Sequence, residues 1–151
     1  MATLKAIPNL TQSQQPFELE DEQGQSTVLG WHVVADFWGC NREIDNPEYV
    51  ERAVRDAADA SKSTTLQFGM HKFHPHGVTA FALLSGSHLS VHSWPEHRYL
   101  AANIYVCGEG TDPAAAVELL RSRFEPDRVD CRRLSRGVLP REMPDGRTAS
   151  E

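Results

Sequence analysis

The chain has 151 residues, of which 40% are hydrophobic and 24% charged, and its 21 acidic residues against 15 basic ones give a formal net charge of -6. This length allows most of the apolar surface to be buried in one core, so one ordinary globular domain is expected and a disordered or collagen-like chain is excluded. The acidic balance argues against a general binder of nucleic acid, which needs clustered Lys and Arg to meet phosphates.

Residues 1–27 are rich in Gln, Glu, Asp and Ser without periodicity and read as a flexible arm. They lack the apolar stretch of a signal peptide, and no run in the chain approaches eighteen apolar residues, so a cytoplasmic protein without membrane contact is expected. Residues 31–38, WHVVADFW, are β-branched and aromatic between Gly30 and Gly39 and predict a strand. Asn46 and Pro47 then open a helix, with Asn as cap and Pro in the first turn. Val50, Ala53, Val54, Ala57 and Ala58 keep helical spacing to about Ala60.

Residues 64–73 and 78–84 predict two strands joined by the HPHG turn at 74–77. Residues 88–92 and 99–107 predict two more, separated by a connection containing Pro95. Asp112 and Pro113 open a second helix, whose Ala116, Leu119, Leu120 and Phe124 share a face before Pro126 stops it. A short last strand is expected over 129–134, and the Pro- and Gly-containing residues 139–151 read as a loose tail. Hairpins with two separated helices point to an α+β fold, a two-layer α/β sandwich with a mainly antiparallel sheet covered by helices on one face.

Three cysteines, Cys40, Cys107 and Cys131, are widely spaced and read as free thiols. Five histidines, His71, His74, His76, His88 and His92, fall in a short span. The pair His88 and His92 lies on a strand, where four residues cover roughly 13 Å. That is too far for two ligands of one zinc at about 2 Å each, so these two alone make no metal site. Ser87 instead suggests nucleophilic chemistry, because it follows a glycine between two strands, where a tight turn exposes the preceding carbonyl. Attack by the serine hydroxyl on that carbonyl converts amide to ester. Elimination then leaves a dehydroalanine that hydrolyses to a pyruvoyl group, and the chain is cut. Such processing needs a proton carrier and a hydroxyl or other oxyanion donor, for which His92 and Thr79 are the candidates on strands adjoining Ser87. Singly, each of these residues also reads as an ordinary turn or strand residue.

Together they resemble a known family. HVVADFWGC, IDNP, HKFHPHGVT, GSHLSVHSWPE and YLAANIYVCG occur in the order found in the short prokaryotic S-adenosylmethionine decarboxylases, over roughly residues 30–138. The resemblance implies cleavage between Gly86 and Ser87, with Ser87 becoming the pyruvoyl cofactor that forms a Schiff base with the substrate amine. It implies that His92 moves protons in processing with help from the Thr79 hydroxyl, and that Cys107 protonates the substrate carbon after CO₂ leaves; protonating the cofactor instead would inactivate the enzyme by transamination. Glu96 is implied to hold the ribose hydroxyls and Phe73 to stack on adenine. The small-molecule substrate is S-adenosyl-L-methionine, the product serves spermidine synthesis, and the assembly is a homodimer. The sequence departs from the family at Gly86, where Glu is usual, at Thr79, where Ser is usual, and at Asn103, where Asp is usual. A pyruvoyl-dependent arginine or ornithine decarboxylase and an unprocessed, non-catalytic relative are the alternatives.

Overall fold

The computed structural model describes residues 28–107 and 110–139. The expected N-terminal arm, 1–27, and nearly all of the expected tail lie outside these residues. Six strands follow the chain as β1 (Val28–Trp38), β2 (Thr65–Lys72), β3 (Val78–Leu84), β4 (Ser87–Trp94), β5 (Tyr99–Cys107) and β6 (Arg128–Val138). Helix α1 (Pro47–Ala60) lies between β1 and β2, and α2 (Pro113–Phe124) between β5 and β6. The strands form one sheet in the order β2-β3-β4-β5-β1-β6, every neighbouring pair antiparallel. Both helices pack on the same face, the two-layer α+β arrangement that the alternation of hairpins and helices predicts.

The helices begin where their caps place them. The Asn46 side chain accepts a hydrogen bond from the Tyr49 N–H at 3.2 Å with Pro47 in the first turn, and the Asp112 side chain accepts from the Ala115 N–H at 3.0 Å ahead of Pro113. Each satisfies a donor that the first turn of a helix leaves unpaired. Val50, Ala53, Val54, Ala57 and Ala58 of α1, with Ala116, Val117, Leu120 and Phe124 of α2, are buried against the sheet. From the sheet come Val33, Phe37, Ala80, Ala82, Leu84, Leu89, Val91, Leu100 and Ile104, all essentially inaccessible. Each fully buried Val, Leu, Ile or Phe contributes about 1.5–3 kcal/mol, so this one interlayer core dominates the stability.

Alternation along the strands leaves the second face open. In β4 the residues Ser87, Leu89, Val91 and Ser93 point toward the helices, and His88, Ser90, His92 and Trp94 point away. Strand registers set rows across that open face: His71, Thr79, His92, Ala101, Asp36 and Asp130 make one, and Gln67, Leu83, His88, Tyr105, His32 and Leu134 another. Trp38, Phe81, Leu83, Trp94 and Leu134 are exposed there.

Three strands extend beyond the sequence expectation. β1 begins at Val28 and β6 runs eleven residues to Val138, because the two pair from Val28↔Val138 to Trp38↔Arg128 and each lengthens the other. β4 begins at Ser87 itself, which pairs with Leu84 across a two-residue turn, so the serine opens a strand instead of occupying the break before it.

Candidate active site

The expected site residues lie in two groups at opposite ends of the open sheet. At the first end, β3 and β4 bring Thr79 and His92 together as a register pair, Oγ1 to Nδ1 at 2.9 Å. Phe73 follows β2 and is half exposed, with the His71 ring edge-on to it at 4.6 Å. Glu96, in the short 3₁₀ turn Pro95–His97, has a carboxylate oxygen 3.1 Å from His76 Nε2. Asp45 pins the turn between β2 and β3: its Oδ1 accepts from the Lys72 ammonium and from the Gly77 N–H at 2.8 Å. Desolvation pushes the Asp45 carboxyl up, yet the Lys72 and Gly77 hydrogen bonds outweigh it and hold the group below its ordinary value. That anchor also fixes the stem of Phe73, whose N–H donates to the Gly77 carbonyl at 2.8 Å.

The second end holds Gly86, Ser87 and Cys107. Ser85 and Gly86 make the turn between β3 and β4, and Gly86 has φ +85°, a left-handed conformation that favours glycine. No atom lies within 4 Å of where its Cβ would stand, so the turn opens onto space. Ser87 Oγ is buried and has no hydrogen-bond partner among the described residues. The β4–β5 register pairs His88 with Tyr105; continued by two residues it sets Gly86 against Cys107.

Within one chain the two groups do not meet. Ser87 and His92 are five strand residues apart, roughly 16 Å, and their side chains lie on opposite faces. The expectation that His92 and Thr79 act beside the Ser87 of their own chain is therefore corrected: an odd spacing in a strand reverses the face. Glu96 and Phe73 accompany His92, while Cys107 shares the Ser87 end of the sheet but lies on the open face, opposite the helix-facing Ser87 side chain. Among the described residues no group of three or more His, Cys, Asp and Glu is arranged to hold a metal ion.

Several open-face residues passed over in the sequence stand beside these groups. Tyr99 Oη donates to Asp36 Oδ1 at 2.5 Å, and its ring stacks on Trp38 at 4.2 Å and on Trp94 at 5.3 Å. Burial and the neighbouring carboxylate push the Tyr99 phenol up to about 12. Near Cys107, His32 meets Tyr105 edge-on at 5.8 Å, and His88 stacks on Tyr105 at 5.7 Å. Desolvation, then the positive charge of Arg136, holds His32 below its ordinary value. Asn103, one of the departures from the family pattern, shares the open face of β5 with Tyr105 and Cys107. The signal for this cluster was its period of two along β1 and β5, with His32, Val34 and Asp36 sharing one face and Asn103, Tyr105 and Cys107 the same face next door. Cys40 lies in the interlayer core and Cys131 packs against it, their thiols pushed by burial to about 11 and about 12.

The family described as S-adenosylmethionine decarboxylase matches residues 31–137. An S-adenosylmethionine decarboxylase proenzyme of Thermomicrobium roseum is 44% identical over 112 residues, 74% of this chain and 96% of that protein. A proenzyme of the same description from Methanococcus maripaludis is 37% identical over 112 residues, 74% of this chain and 92% of its own length. Among solved structures, the adenosylmethionine decarboxylase from Aquifex aeolicus superposes with a TM-score of 0.70 at 30% identity, covering 78% of this chain and 98% of that one.

Proposed function

The chain belongs to the S-adenosylmethionine decarboxylase family, and we propose on that premise that it is a proenzyme that cuts itself between Gly86 and Ser87. The cut leaves a pyruvoyl group on residue 87, and the mature enzyme decarboxylates S-adenosyl-L-methionine to the aminopropyl donor for spermidine synthesis. The observation that carries this reading is the state of Ser87. Its hydroxyl is buried without a partner, directly after a glycine whose left-handed turn opens onto space. A hydroxyl held by no other acceptor is free to approach the Gly86 carbonyl, and a turn without packed neighbours can distort as the carbonyl becomes tetrahedral. The residues present thus fit the group.

In processing, the Ser87 Oγ–C bond forms as the Gly86–Ser87 C–N bond breaks. Elimination then releases the Gly86 carboxylate, and hydrolysis of the remaining dehydroalanine expels ammonia. When formed, the pyruvoyl group supplies a carbonyl that takes the substrate amine covalently and accepts the electron pair as CO₂ departs. The chain's own residues position and protonate. Cys107 returns a proton to the substrate carbon, Phe73 stacks on the adenine, and Glu96 accepts hydrogen bonds from the ribose hydroxyls, displacing His76. His92, oriented by Thr79, moves the processing proton.

Because one chain keeps Ser87 and Cys107 apart from His92, Thr79, Glu96 and Phe73, the working unit in this reading is a homodimer. The open faces meet, and a two-fold axis sets one copy's Ser87 end against the other's His92 end. Exposed Trp38, Phe81, Leu83, Trp94 and Leu134 supply the apolar surface for that contact. No helix among the described residues is long and apolar enough to cross a membrane.

Intact mass of the purified protein tests the reading, since processing must yield pieces of 86 and 65 residues from the 151. Ser87→Ala is expected to abolish the split, and a chain that stays whole after long incubation refutes it. Release of CO₂ from labelled S-adenosylmethionine, and not from arginine or ornithine, is expected of the cut protein.

A further inference from the structure

Cys107 does not stand alone on the open face. Tyr105, two residues earlier in β5, projects to the same side, and its ring is held by three strands. His88 of β4 stacks on it at 5.7 Å with the planes 14° apart, His32 of β1 meets it edge-on at 5.8 Å, and the Arg136 guanidinium of β6 lies 5.9 Å from its centroid. The ring points toward the end of the sheet where Cys107 sits. Its Oη lies over Gly30, the residue paired with Cys107, so closely that a Cβ on Gly30 would stand 2.7 Å from it. Only the missing side chain at Gly30 leaves room for the phenol. The neighbouring Cys107, then desolvation, hold the Tyr105 phenol above its ordinary value.

We propose that Tyr105 is a positioning residue for Cys107: its O–H donates to the Cys107 sulfur, aims the thiol at the Gly86–Ser87 end, and stabilises the thiolate left when the thiol gives up its proton. The assignment rests on Cys107 being the proton donor of the proposed reaction. A phenylalanine would preserve the ring contacts with His88 and His32 and lose only the donor, so the hydroxyl is what the chemistry uses. The other groups facing the pair are His32, kept toward its neutral form by burial and Arg136, together with His88 and Arg136 itself. Arg136 also favours a thiolate, but it lies over the Tyr105 ring and across the sheet from the sulfur, two strands away by way of Gly30.

The test compares wild type with Tyr105→Phe by the pH dependence of iodoacetamide alkylation at Cys107, read by peptide mass so that Cys40 and Cys131 do not contribute. Loss of a charge-assisted hydrogen bond is expected to raise the alkylation midpoint by about one unit. In the processed enzyme kcat is expected to fall about tenfold at unchanged KM, with fewer turnovers completed before inactivation. Gly30→Ala, whose methyl takes the space of the phenol oxygen, is expected to shift the midpoint in the same direction while Tyr105 remains. An unchanged midpoint in Tyr105→Phe, or a loss confined to KM, overturns the proposal. Failure of the wild-type chain to cleave sinks the proposed function instead, and the alkylation midpoint still decides the role of Tyr105 in that case.

Discussion

Two inactive chains should make one active site between them. In Ser87→Ala the nucleophile is gone, and in His92→Ala the processing proton carrier is gone. A proton carrier must come within about 2.6–3.2 Å of its partner, whereas roughly 16 Å of strand separates the two positions in one chain. If the site is shared across a two-fold axis, a mixed dimer holds one site with both residues intact and one with both removed. Random pairing at equal expression makes half of the dimers mixed, so about one quarter of wild-type sites are restored. The assay is co-expression of the two chains with different tags, isolation of the doubly tagged dimer, and intact mass. The His92→Ala chain is expected to be cut in the mixed dimer, the Ser87→Ala chain to stay whole, and decarboxylation to reach about half the wild-type rate per mixed dimer. A His92→Ala chain cut no faster in the mixed dimer than alone refutes the shared site.

Asn46→Ala removes the cap of α1 and is expected to cost about 1 kcal/mol, measured by urea unfolding of the Ser87→Ala chain so that processing does not intervene. Asp45 supplies a pH dependence whose sign follows from its lowered titration. The unfolded carboxyl takes a proton first, so the stabilisation is complete above about pH 4 and is lost as the pH falls through the folded value. Unfolding midpoints measured from pH 6 downward should show this acid slope, and Asp45→Asn should flatten it; an equal slope in both chains contradicts the anchor role.

Helix starts were legible because their chemistry is local: Asn46 with Pro47 and Asp112 with Pro113 each cap a helix within four residues. Strand identity was legible from β-branched and aromatic runs, and β3 and β5 begin and end where those runs do. Strand order was not, since β1 entering between β5 and β6 depends on contacts far apart in sequence. The Thr79–His92 pair was present as two residues in neighbouring strands, and only the register makes them partners. The separation of His92 from Ser87 was readable in principle, as five is odd and strands alternate. Tyr105 gave no signal as a motif, because its significance lies in Gly30 of another strand leaving room for its hydroxyl.

The position of the Ser85–Gly86 turn has a consequence for the protein after it is cut. The longer fragment carries β1, β2, β3 and α1, and the shorter carries β4, β5, α2 and β6. Because β1 is inserted between β5 and β6, the two pieces are interleaved along three ladders, β3 with β4, β5 with β1, and β1 with β6. Cleavage removes a covalent link and leaves every ladder in place, so maturation turns a unimolecular folding problem into an association of two chains. The unfolding midpoint of the mature protein should therefore rise with protein concentration even if dimerisation were prevented, and the enzyme, once unfolded, must find its other half to return.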